Sequence, residues 1–262
     1  MTIPPSAPAI ASLALLLSGM TLLLSSCGER TESGPLISET REVETFDAIS
    51  VEGAAKLEIT IGKSPSLVVN GHEQAVRRVE TDVRGGTLHI KSRPKDWLIR
   101  NNNARLTLQI TLPRLESLQL EGGNDVNVVG FSGGQVKIKA SGAAHIRADG
   151  HLEELTVRLS GAGHADLSKL VANDAKVTVD GVGSVIVNPR DSLDATMNGV
   201  GAILYTGSPS RVNTRMNGLG TIGQREPRQR DDPPSPQKEI DPETLQPEYE
   251  DEKVKVDQTE VI

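Results

Sequence analysis

The sequence has little of what many function classes require. Its 262 residues include one cysteine, one tryptophan, two tyrosines and two phenylalanines. A single cysteine excludes an internal disulfide and any zinc site built from paired thiolates. So few aromatics leave no stacking platforms for single-stranded nucleic acid, and a net charge of −7 argues against a nucleic-acid partner. Helical periodicity is missing from 45 to 223, apart from a short Gln74–Glu80 stretch. The one long apolar run, Ala9–Leu24, spans 16 residues. A bilayer-crossing helix needs roughly 20.

The end of that run is informative. Leu24-Ser25-Ser26-Cys27 places small residues directly before the only cysteine, as a processed secretory segment requires. The pattern resembles a bacterial lipobox. The resemblance implies that residues 1–26 are a removed signal peptide and that Cys27 takes a diacylglycerol anchor. It further implies membrane attachment, with Gly28 rather than Asp after the cysteine directing the protein to the outer membrane. The side facing the domain, periplasm or exterior, is left open. Residues 27–44 are polar and aperiodic, as expected of a tether.

The far end is also distinctive. Residues 224–262 contain 12 acids, 6 bases and 6 prolines. Such a composition buries too little apolar surface to offset its ordering entropy, so a disordered tail is expected. The tail accounts for most of the acidity, leaving the middle of the chain close to neutral.

In that middle a glycine recurs at 122, 142, 161, 181, 199 and 218, with an earlier copy at Gly53. The spacing is about 19 residues, the mark of a repeat architecture. Around each glycine the columns alternate. Leu120, Ala140, Leu159, Val179, Met197 and Met216 lie two before it, and Val126, Ile146, Ala165, Val185, Ile203 and Ile222 four after. Period two on both sides of a turn reads as two short strands per repeat. Since one coil cannot bury its own apolar side, successive coils must stack. Residues 45–223 are therefore read as an all-β solenoid of about 19-residue coils.

Within that stretch, Phe46–Gly53, Leu57–Gly62 and Leu106–Leu118, together with the glycine turns after them, resemble the head GIN domain family. Its members are bacterial envelope proteins labelled putative auto-transporter adhesins. The resemblance implies a right-handed parallel β-helix, an adhesin-like and non-catalytic role, and no catalytic residues or cofactor to carry over. Two other roles stay open: a periplasmic accessory that binds an envelope component, and a polysaccharide-active enzyme on the solenoid face.

Three positions after the glycines stand Asp125, His145, His164 and Ser184. Stacked coils would bring these about 5 Å apart. Two imidazoles and a carboxylate suit a transition metal, although a wet polar ladder is the plainer expectation and no metal is assigned. A Ser-His-Asp reading lacks a strained elbow or an oxyanion hole. Gly218–Gly223 matches a dinucleotide fingerprint in letters but has no helix after it to bind a pyrophosphate. The outward cations Lys137, Lys139, Arg158, Lys176 and Arg215 share two columns and could line a face for acidic glycans or envelope polymers. Trp97 lies in a polar insertion with Arg93, Lys95 and Arg100, a setting suited to sugar faces. The oligomeric state is not readable from these patterns.

Overall fold

The structure is a computed structural model that describes residues 34–92 and 106–225. Among these residues, thirteen strands and one short helix build a β-solenoid of about five turns. Four long strands form its body: β7 (Ser117–Ser132), β8 (Gln135–Leu159), β9 (Ala162–Val179) and β10 (Val182–Met197). They stack in parallel on β2 (Ala48–Ile61), and β11 (Val200–Tyr205), β12 (Arg211–Met216) and β13 (Leu219–Gln224) complete the last coils.

The register tracks the glycines. Gly53 pairs with Gly122 and Gly122 with Gly142, while Gly163 pairs with Gly183 and Gly183 with Gly201. The alternation in sequence becomes alternation of faces. Leu118, Leu120, Val126 and Val128 of β7 are buried, as are Ile138, Ala140, Ile146 and Ala148 one coil on. These ladders form one continuous core inside the coils.

The glycine corners differ from the two-strand reading. In β7 and β8 the strand passes unbroken through Gly122 and Gly142, because the corner residues keep pairing with the neighbouring coil. Both glycines have positive φ, +100° and +118°. A Cβ on Gly142 would stand 2.4 Å from the Gly122 carbonyl oxygen. Only glycine permits both this backbone conformation and this approach.

The amino-terminal end is more elaborate than a repeat. β5 (Thr87–Lys91) and β6 (Thr107–Leu112) stack in parallel on the two halves of β2, forming the coil before it. Beyond them the pairing turns antiparallel. β3 (Ser66–His72) lies against β6, β1 (Leu36–Arg41) against β3, and β4 (Glu80–Arg84) against β5. The β4–β5 turn is Gly85-Gly86, with both φ positive, the conformation a two-residue hairpin needs. Helix α1 (Glu73–Arg78) stands where the sequence has its short helical stretch, and buries Ala75 and Val76.

β1 also corrects the amino-terminal boundary. Residues 36–41, read from the sequence as tether, are a paired strand, and Ile37 and Val43 pack against the core. Arg41 fixes the arrangement. Its guanidinium donates to the carbonyls of Val76 and Val79 at 2.9 and 2.7 Å and to Thr81 Oγ1 at 2.9 Å. Among the described residues, no helix is long and apolar enough to cross a membrane.

Candidate functional site

The corner after each glycine carries the ladder singled out by sequence. Lys56, Asp125, His145, His164, Ser184, Ala202 and Thr221 are successive Cα partners along one ladder. Parallel stacking thus gathers side chains from residues 56 to 221 into one row.

The row divides into two pairs. Asp125 Oδ1 lies 3.4 Å from His145 Nδ1, and Arg147 donates to the same carboxylate at 3.2 Å. His164 Nδ1 and Ser184 Oγ share a hydrogen bond of 2.5 Å. Between the pairs the imidazoles stack, with centroids 5.7 Å apart and 28° between planes. The Nδ1 atoms are therefore engaged by different neighbours on either side of the stack. Among the described residues, no imidazole hydrogen-bonds both a carboxylate and Ser184, and such a bridging imidazole is what acyl transfer needs. Among the described residues, no three His, Cys, Asp or Glu side chains gather to hold a metal ion.

Beside this row Asp166 is held by its own strand. Ser168 donates from Oγ at 2.6 Å and from its backbone N–H at 3.1 Å. The hydroxyl bond is the main cause that sets the Asp166 carboxyl below the usual aspartate range. Glu58 is lowered similarly, first by its bond from Lys56 and then by one from Gln109.

The outward cations lie where the repeat places them. Lys139 pairs with Gln119 and Lys137 with Ser117, while Thr178 and Thr196 separate Arg158 from Arg215 in the ladder. The stripe is not purely basic. Arg158 lies 2.8 Å from Asp180 on the next coil. Near Lys137 a hollow of about 520 Å³ is bordered by Arg114, Glu116 and Glu154, and Arg114 and Glu116 form an ion pair at 2.8 Å.

Gly218–Gly223 runs into β13, a strand paired in parallel with β11, so among the described residues its last glycine sits in a strand and not at a helix start. Cys27, Arg93, Lys95, Trp97 and Arg100 lie outside the described residues. Sequence reasoning passed over Asn124, which is buried within the corner. The signal was present, since Asn124 stands where the adjacent coils carry Ala55 and Ala144.

The model of the family described as putative auto-transporter adhesin, head GIN domain, matches residues 45–209. Among solved structures, a putative adhesin from Bacteroides fragilis is 22% identical with a TM-score of 0.59, covering 73% of this chain and 97% of that one. A putative lipid binding protein from Parabacteroides distasonis is 19% identical with a TM-score of 0.42, covering 74% and 98%. A putative cell adhesion protein from Clostridium sporogenes is 16% identical with a TM-score of 0.37, covering 73% and 100%. Comparison with curated proteins finds no match. The first structural likeness supports the solenoid fold, and the family match extends over most of that solenoid. The chain belongs to the head GIN domain family of putative auto-transporter adhesins.

Proposed function

We propose that this chain is a non-catalytic recognition protein of the bacterial cell envelope, carried on a lipid at Cys27 and anchored in the outer membrane after removal of residues 1–26. The observation that carries the reading is the outward face of the solenoid. Side chains distant in sequence are held there in register at strand spacing, a fixed surface suited to a repeating polymer. The family's adhesin description supports the same direction.

The contact residues we assign are Lys137, Lys139 and Arg158, together with Arg93, Lys95, Trp97 and Arg100. The last four belong to the stretch 93–105, flanked by Ser92, whose N–H donates to the Glu52 carbonyl, and Leu106, whose carbonyl accepts from the Lys56 N–H. Cations spaced along such a face suit an acidic glycan or the phosphates of an envelope polymer. Recognition, rather than turnover, also fits an imidazole row whose members are divided between separate partners.

The test is binding of the full chain to immobilised lipopolysaccharide, with product release monitored in parallel. Binding without release, weakened by Lys137→Gln/Lys139→Gln and by Trp97→Ala, is the expected result. Unchanged binding in both variants would remove these residues, and release of fragments would make the protein an enzyme. Labelled palmitate incorporated by the wild type but not by Cys27→Ala tests the anchor.

A further inference from the structure

The glycine corner holds a second feature, separate from the basic columns. A cleft of about 490 Å³ opens across the first coils, between Leu106 and the row Ala54, Gly123, Ala143 and Ala162. These four are successive ladder partners, so they form a flat floor of methyl groups with a notch at Gly123. Further along the same column stand Val182, Val200 and Leu219. The cleft exists where the column's side chains are smallest.

One wall of the cleft is Asn124, which is 5% exposed. Its Nδ2 donates to the Glu121 carbonyl at 3.3 Å, and its Oδ1 has no partner. The other polar residues along the cleft are already engaged: Lys56 by Glu58 at 2.7 Å, Asp125 by Arg147, and His145 by Asp125. A buried acceptor without a donor is costly. At this position it is also avoidable, since Ala55 and Ala144 fill the same ladder place on either side.

We propose that this cleft binds a planar aromatic group carrying one hydrogen-bond donor, a phenol or an indole, whose O–H or N–H is donated to Asn124 Oδ1. A flat ring covers a flat row of methyl groups with little wasted surface, and a donor on its edge reaches the wall while the ring stays on the floor. The Oδ1 atom is buried, and because the χ2 torsion of asparagine is broad it is brought to the cleft by a rotation that exchanges the long Nδ2 bond to the Glu121 carbonyl for the ligand's shorter one. The remaining lining offers apolar contact and no second unpartnered buried acceptor.

Ligand-observed NMR on the full chain tests this with 4-methylphenol, indole and toluene. The expected result is saturable binding of 4-methylphenol about tenfold tighter than toluene, the effect of one net hydrogen bond. Asn124→Ala erases that preference while the Tm stays level or rises. Gly123→Val fills the notch and abolishes binding of both probes; its backbone is not left-handed and its Cβ would lie 3.8 Å from Ala54 Cβ. Absence of saturable 4-methylphenol binding, or an unchanged preference in Asn124→Ala, overturns the proposal. N-acetyl-tyrosinamide distinguishes the source: binding equal to 4-methylphenol assigns a polypeptide side chain, and exclusion of the amide assigns a free small molecule. Loss of this site leaves lipopolysaccharide binding unaffected, so the two readings fail separately.

Discussion

His145 and His164 stack at a 28° tilt on neighbouring coils, yet each turns its Nδ1 to a different partner, Asp125 for one and Ser184 for the other. A metal ion needs nitrogens converging on one point. Zinc titration of the full chain is therefore expected to give the same weak affinity as the His145→Ala/His164→Ala double variant. Clearly tighter binding by the wild type would mean that the rings reorient to share an ion.

The glycine corners make a sharper stability prediction. Gly142 has φ +118° and closely approaches the Gly122 carbonyl, whereas Gly123 is not left-handed and its Cβ would make only an ordinary contact with Ala54 Cβ. Gly142→Ala should lose at least the roughly 1–3 kcal/mol typical of a strained backbone. Gly123→Ala should stay within about 0.5 kcal/mol of wild type. Urea denaturation of both variants checks the contrast, and equal effects would refute this account of the corners.

Arg41 ties β1 to the amino-terminal end through the carbonyls of Val76 and Val79. Arg41→Ala leaves both acceptors without their charged donor. A loss of about 1–3 kcal/mol is expected for such groups, with faster hydrogen exchange in β1, α1 and β4. Unchanged exchange in these elements would show that the guanidinium does not secure them.

The Asp166 carboxyl carries the pH dependence. Ser168 lowers its folded-state pKa, so the stabilisation is present above the unfolded value and is lost as the pH falls through the folded one. Ser168→Ala should raise the Asp166 pKa toward the usual value of about 4. It should also weaken the protein at pH 7 while leaving little difference at strongly acid pH. A carboxyl NMR titration with denaturation at both extremes reads this directly.

How much of the molecule was legible in the sequence depends on how local each cause is. The solenoid register was legible because Gly53, Gly122 and Gly142 recur with their flanking apolar columns, and stacking turns equal spacing into contact. The Asp125–His145–His164–Ser184 row emerged from the same count. Its division into an Asp125–His145 pair and a His164–Ser184 hydrogen bond did not, since side-chain torsions have no repeat signature. β1 was missed because six residues with modest alternation pair far along the chain, with β3. The β4–β5 hairpin did leave a signal, Gly85-Gly86 between two alternating runs. The Asn124 cleft combines two departures from a column, a missing side chain at Gly123 and a polar one next to it, and acquires meaning only once the coils are stacked.

The proposal of adhesin-like recognition is tested most directly by treating intact cells that express the full chain with protease, tracking the solenoid by antibody and using lysed cells as control. Loss of the signal from intact cells is the expected result, because a recognition face that meets partners outside the cell must be reachable there. Full protection in intact cells, with digestion only after lysis, would contradict it and confine the solenoid to the periplasm.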